Sequence, residues 1–202
     1  MDGAISYIEI GRWLKERNFS VPRRFDSRDG LFQHIAQNVD NNRVLYLEFG
    51  VFQGASMRLW STLLSHPDCH LHGFDSFEGL PEDWKPDHKL GHFSTEGNIP
   101  VIDDPRVSFS KGWIKDTLPD YELPEHDILV LNMDLDLYSA TKTALSALQD
   151  FIRPGTYIYF DEIYDRNHEM KAFDEFLSSS GGVYECVGSD RIFTCAAFKR
   201  TA

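Results

Sequence analysis

The sequence predicts an α/β protein built on a doubly wound, mainly parallel sheet with an antiparallel final strand. Three observations predict it. Short apolar runs alternate with segments of helical periodicity along most of the chain. The first such run, Val44 to Phe49, passes through a glycine turn, Gly50 to Gly54, directly into a helical segment. The last two runs are joined only by Gly188-Ser189-Asp190, a connection short enough for an antiparallel hairpin.

Taken in order, residues 4 to 17 place Ile5, Ile8, Ile10, Trp13 and Leu14 at helical spacing, and Asn18 with Pro22 ends that helix. A second helix starts at Asp26-Ser27 and carries Leu31, Phe32, Ile35 and Val39 on one face. Helices ahead of the first strand either pad an edge of the sheet or fold over a ligand mouth, and the sequence leaves both open. Strand Val44 to Phe49 is followed by a helix from Ala55 to about Ser65, then by strand Leu71 to Phe74 ending at Asp75. Residues 78 to 104, rich in Pro, Gly, His and acid, read as a long loop with room for one short helix. Val107 to Ser110 is a strand, and Gly112 to Tyr121 a turn or short helix. Ile128 to Met133 is the central strand, followed by a helix from Ser139 to Ile152 with Ala144, Leu145 and Leu148 inward. After Pro154-Gly155 come strand Tyr157 to Phe160, a helix from Glu169 to Ser178, and the closing strands Tyr184 to Val187 and Ile192 to Phe198. Seven strands result, and ligands of such a sheet bind beyond the strand C-termini at the switch point.

With 202 residues, 42% of them hydrophobic and 13% aromatic, the chain suits one domain with a substantial core. A net charge of −12 repels nucleic acid phosphates and anionic membrane surfaces, so neither is an expected partner. Cys69, Cys186 and Cys195 show no C-x-x-C spacing. The first residues lack a signal-peptide pattern, and no eighteen apolar residues run together. The expectation is a soluble, cytoplasmic protein.

The chemistry gathers at strand ends. Leu129-Val-Leu-Asn-Met-Asp-Leu-Asp-Leu-Tyr138 is a buried strand that runs out into Asp134 and Asp136, and Tyr157 to Phe160 runs out into Asp161-Glu162. Four carboxylates delivered to one place ask for a cation, and an all-oxygen set suits magnesium, calcium or manganese. At the glycine turn, Glu48 suits an ammonium group, the glycines admit close backbone approach, and the helix N-terminus offers N–H groups to a carboxylate or phosphate. The spacing is not that of a dinucleotide fingerprint, because Phe52 stands where its second glycine belongs. Asp75 lies at the distance at which such folds place an acid on ribose hydroxyls. Together these describe a nucleoside ligand whose other end is an amino acid. His168, just after the second acid pair, is a candidate base or substrate ligand. Trp113 is placed either to stack on adenine or to pack against the sheet, and Trp84, His88 and His92 are candidates for a substrate lid.

These pieces resemble class I S-adenosylmethionine-dependent methyltransferases, and within them the macrocin O-methyltransferase group, which acts on sugar hydroxyls of natural products. The matching motifs are Leu47 to Ser56, Gly73-Phe-Asp-Ser-Phe-Glu-Gly-Leu-Pro81, Gly112 with Asp116-Thr-Leu-Pro119, Asp134-Leu-Asp-Leu-Tyr-Ser-Ala-Thr141, and Pro154-Gly155 leading to Asp161. The resemblance implies a Rossmann-like seven-stranded core over 43–202 with an N-terminal helical cap over 1–42, in one methyltransferase domain. It implies S-adenosylmethionine as cofactor, contacted by Glu48, Gly50, Gly54, Ser56, Asp75, Ser76, Gly112, Trp113 and Asp134. It further implies magnesium held by Asp134, Asp161 and Glu162, with Asp136 as general base. The family usually shows Asp-Asp-Tyr where this chain has Asp161-Glu162-Ile163, so one ligand sits on a longer stem. The partner would be a small hydroxylated acceptor, and a homo-oligomer stays open. Two alternatives compete. Asp134-x-Asp136 also resembles the haloacid-dehalogenase phosphohydrolase motif, although that motif closes its family's first strand. A non-catalytic nucleoside-binding module of the same fold is the other.

Overall fold

A computed structural model describes residues 2–202, with side chains from Tyr7 onward; Ile5 therefore lies outside the described side chains. In chain order the elements are α1 (Asp2–Glu16), β1 (Arg24–Phe25), α2 (Arg28–Val39), β2 (Val44–Phe49), α3 (Ala55–Leu63), β3 (His70–Asp75) and β4 (Val107–Lys111). There follow α4 (Ile114–Thr117), β5 (Ile128–Met133), α5 (Tyr138–Leu148), β6 (Tyr157–Phe160), α6 (Glu169–Ser180), β7 (Tyr184–Asp190) and β8 (Ala196–Arg200). The strands form one sheet in the order β1-β7-β8-β6-β5-β2-β3-β4. Only β8 runs against the others, pairing antiparallel with β6 and with β7.

Three details differ from the sequence reading. The sheet gains an eighth strand, because Arg24 and Phe25 pair in parallel with Ser189 and Asp190 on the outer edge. Two residues after a proline carry no period, so no pattern announces them. Gly188-Ser189-Asp190 is not the connection but the end of β7, and the final strand begins at Ala196, not Ile192, because the Asp190 carboxylate accepts the N–H groups of Thr194 (2.6 Å) and Cys195 (3.2 Å) and winds those residues into a turn. Residues 76–106 contain no helix; the loop is a succession of turns with one isolated bridge between Lys85 and His88.

Alternate residues of the central strands go to opposite faces, and both faces are covered. Leu45, Leu47 and Phe49 of β2, Leu129, Leu131 and Met133 of β5, and Ile158 and Phe160 of β6 pack with α4, α5, α6 and Trp13. Val44 and Tyr46, Val130, and Tyr157 and Tyr159 point the other way, into α2 and α3. Such two-sided burial is what makes these strands read as continuous apolar runs. Among the described residues no helix is long and apolar enough to cross a membrane.

The two leading helices divide the roles that the sequence left open. Helix α1 pads the sheet: Trp13 lies among Phe19, Phe173 and Phe198, with its indole N–H donated to Asp174 at 2.6 Å. Helix α2 buries Leu31, Phe32, Ile35 and Val39 against the opposite face, and its first residue, Arg28, reaches the ligand crevice.

The chain winds from β2 to β3 and β4 on one side, then returns to β5 and β6 on the other. Strand order thus reverses between β2 and β5, which opens a crevice beyond their C-terminal ends. Gly50 makes the closure there tight. Its φ is +89°, and a Cβ would stand 1.7 Å from the carbonyl oxygen of Asp134, so no other residue fits.

Candidate active site

A cavity of about 530 Å³ occupies this crevice, within the range of small-molecule sites. Of the residues singled out from sequence, Glu48, Gly50, Ser56, Asp75, Ser76, Gly112, Trp113, Asp134, Asp136, Asp161 and Glu162 all line it. Gly54 and His168 do not. Gly54 instead starts α3 in a left-handed conformation, with Pro100 packed where a Cβ would point. The His168 Nδ1 accepts the Tyr138 N–H at 3.3 Å, and its ring stands edge-on to Trp84.

One end of the cavity is built by the glycine turn and β3. The Asp75 Oδ2 accepts the N–H groups of Val51 (2.7 Å) and Phe52 (2.8 Å), and its Oδ1 accepts that of Phe77 (2.7 Å). Asp75 therefore locks the glycine turn to its neighbouring strand. Glu48 is buried on the α2/α3 face with Tyr46, whose hydroxyl donates to Oε2 at 2.7 Å while accepting from the Asn132 amide at 2.9 Å. Burial pushes the Glu48 carboxyl up to about 8, against the pull of the Tyr46 hydrogen bond. An arriving ammonium group favours its charged form.

The other end is acidic. Asp134 and Asp161 extend the ladder just past β5 and β6, their N–H groups donating to Phe49 and Met133 at 2.9 and 3.1 Å. By strand parity both side chains follow Val130 and Tyr159 to the α2/α3 face, where Arg28 meets them. One guanidinium nitrogen, Nη1, stands 3.3 Å from the Asp161 Oδ1 and 3.8 Å from the Asp134 Oδ2. The Tyr159 hydroxyl also donates to Asp161, at 2.5 Å. Burial works against the charge on Arg28 but is outweighed by Asp161 and its neighbours, so the guanidinium is held more firmly protonated. Asp134 is raised well above the usual carboxylate range by desolvation, then by Asp161, Asp136 and Glu169.

Asp136 follows in a left-handed conformation, φ 61°, spanned by a hydrogen bond from the Leu137 N–H to the Leu135 carbonyl at 2.5 Å. Burial, with Glu162 nearby, pushes its carboxyl up to about 7. Glu162 itself accepts from the Lys85 ammonium at 2.7 Å. Glu169, fully buried in the first turn of α6, ties the two acid loops together by accepting the N–H of Leu135 (3.3 Å) with one oxygen and that of Glu162 (2.9 Å) with the other.

The side chains as arranged do not fit the magnesium that the resemblance implies. Arg28 bridges Asp134 and Asp161 through one nitrogen, and Glu162 is turned to Lys85. Among the described residues, no three acidic, histidine or cysteine side chains converge as a metal set.

Arg28, Lys85 and Glu169 were not found from sequence. Arg28 and Lys85 lie far along the chain from the acids they contact, and Glu169, 7 residues past Glu162, reads locally as an ordinary acid in the first turn of α6. Part of the long loop borders the site. Gly79, Leu80, Pro81, Glu82 and Phe93 line the cavity, and Phe93 meets Phe52 edge-to-face at 5.7 Å. Trp84, His88 and His92 do not line the cavity; Trp84 meets His88, and His88 meets His92, edge-to-face.

A family model described as macrocin-O-methyltransferase (TylF) matches residues 23–189. The tetracenomycin-type 8-demethyl-8-(2,3-dimethoxy-alpha-L-rhamnosyl)-tetracenomycin-C 4'-O-methyltransferase of Streptomyces olivaceus is 30% identical over 136 residues, 57% of this chain and 51% of that protein. Demethyldecarbamoylnovobiocin O-methyltransferase of Streptomyces niveus is 28% identical over 177 residues, 78% of this chain and 66% of that protein. The chain thus spans about half to two thirds of the length of these curated relatives. Among solved structures, the O-methyltransferase NovP superposes with a TM-score of 0.64 at 25% identity, covering 87% of this chain and 80% of that one.

Proposed function

This chain belongs to the macrocin O-methyltransferase family, and from that premise we propose that it transfers a methyl group from S-adenosylmethionine to a hydroxyl of a small natural product. The observation that carries the proposal is the cavity at the β2/β5 reversal, which Glu48, Asp75 and Asp136 line together. In this reading Glu48 takes the ammonium of the methionine portion, Asp75 and Ser76 face the ribose, and Trp113 stands beside the adenine. The relative from Streptomyces olivaceus is named for a rhamnosyl-bearing substrate, which supports a sugar hydroxyl as the acceptor here.

Asp136 is the base of the proposed reaction. Its carboxylate takes the proton of the acceptor hydroxyl, the freed oxygen pair attacks the methyl carbon in line, and the carbon–sulfur bond breaks toward sulfur. The products are a methyl ether and S-adenosylhomocysteine. A carboxyl tuned near neutrality is well matched to that transfer. The rest of the work is alignment, since holding oxygen and methyl at about 3 Å supplies much of the rate. His168 would act only by orienting the start of α5, through its contact with the Tyr138 N–H. Family membership weighs against the phosphohydrolase reading, which also leaves Glu48 without a task.

The test is calorimetric titration of S-adenosylhomocysteine, followed by transfer of a labelled methyl group to a panel of glycosylated and hydroxylated small molecules. Binding of the nucleoside and labelling of a hydroxyl are expected. Absence of nucleoside binding would sink the reading.

A further inference from the structure

We propose that Arg28 and Lys85 serve as the built-in counter-ions of the acid cluster, standing where a divalent metal would stand and leaving the protein independent of added cation. The inference deepens the methyltransferase reading and rests on it for the identity of the reaction.

Asp134, Asp136, Asp161, Glu162, Asp165 and Glu169 are carried by the loops after β5 and β6 and by the start of α6. In an open site that density of carboxylate would draw in a hard cation. Two protein cations arrive first, from parts of the chain outside this region. Arg28 is the first residue of α2, the helix that covers the face to which Asp134 and Asp161 point, so its Nη1 lies within 3.8 Å of both. Lys85 comes from the long loop and is fully engaged. Its ammonium lies 2.7 Å from the Glu162 Oε2, 3.0 Å from the Tyr164 hydroxyl and 3.3 Å from the centroid of the Trp84 ring, with Asp165 at 4.0 Å. An ammonium has three N–H donors, and these partners account for them.

The same geometry explains the departure from Asp-Asp-Tyr. The longer stem of Glu162 carries its carboxylate to Lys85, so the glutamate and the lysine form one device in place of a third metal ligand. Arg28 lines the cavity beside Asp134 and Asp161 and remains charged at any working pH. It therefore supplies fixed positive charge beside the acceptor oxygen, as a bound cation would.

The experiment titrates Mn2+ into the chelator-treated full chain, read by electron paramagnetic resonance, alongside the double variant Arg28→Met/Lys85→Met. Wild type is expected to leave the Mn2+ signal free at millimolar metal. The variant, with its carboxylates uncompensated, is expected to gain a bound-metal signal and a thermal upshift with Mg2+ that wild type lacks. Micromolar Mn2+ binding by wild type, lost in Asp134→Ala, overturns the proposal, and so does a folded double variant that binds no metal. Should the variant fail to fold, the wild-type titration still decides. S-adenosylhomocysteine titrated into the same wild-type samples reports separately on the methyltransferase reading, because the Mn2+ signal does not depend on it.

Discussion

Asp136 is held at φ 61° within a γ-turn whose closing bond runs from the Leu137 N–H to the Leu135 carbonyl. A non-glycine residue there is strained by about 1–2 kcal/mol, and the strain is borne at the residue assigned to proton transfer, where it aims the carboxylate into the cavity. Asp136→Asn keeps the shape and removes the base. Methyl transfer is expected to fall about 10²–10⁴-fold with S-adenosylhomocysteine affinity nearly unchanged, as measured by steady-state kinetics beside calorimetry. A loss of nucleoside binding in place of turnover would move Asp136 from base to cofactor ligand. Glu48, on the adjacent strand β2, is the complementary case: it is buried beside Tyr46 and is raised by that burial, so its charge is stabilised chiefly when a cation arrives.

At the scale of elements, the edge of the sheet carries a hydrogen-bonded rung that the sequence does not mark. His72 of β3 places Nδ1 2.7 Å from the Ser108 hydroxyl and Nε2 2.8 Å from the Ser110 hydroxyl, both on β4. A neutral imidazole, with one donor and one acceptor, suits two adaptable hydroxyls. Burial lowers its pKa from 6.5 to about 4. A histidine depressed in the folded state contributes its full stability above the unfolded value of 6.5, and loses it as pH falls toward 4 because the unfolded chain takes up the proton first. The contribution is on the order of 3 kcal/mol. Denaturant unfolding of wild type and His72→Gln at about pH 7 and about pH 4 is expected to show a stability difference that shrinks in acid. An unchanging difference would mean the imidazole is not held neutral. Glu169 does comparable work between elements, since its two oxygens fix the loops after β5 and β6 relative to each other.

Across the whole molecule, the cavity sits at the strand ends and draws on both faces of the sheet, while much of the core lies away from it. Trp13 seals the α4/α5/α6 layer with Phe19, Phe173 and Phe198 and does not line the cavity. Trp13→Ala is expected to cost about 3–5 kcal/mol in denaturant unfolding while leaving S-adenosylhomocysteine affinity unchanged at a temperature where the variant is folded. A weakened affinity would couple the two layers. The other face, under α2 and α3, carries Glu48, Asn132, Asp134 and Asp161 by alternation along three neighbouring strands. This is why a residue of α2 can enter the site.

The sequence by itself determined the order of strands and helices, the reversed final strand, and most of the lining of the cavity. Those features follow from local pattern: two-sided burial writes continuous apolar runs, Gly50 is demanded by a positive φ and a backbone 1.7 Å from its missing Cβ, and acids must emerge where a buried strand stops. The two-residue strand at Arg24, the turn that delays β8, the pairing of Asp75 with the glycine turn, and the cations facing the acids were decided only in the tertiary structure. Each depends on groups distant in sequence: Arg28 lies 133 residues from Asp161, and Lys85 lies 77 from Glu162. No local pattern records which charge will meet which, because it is the winding of the sheet and the parity of its strands that bring them within hydrogen-bonding distance.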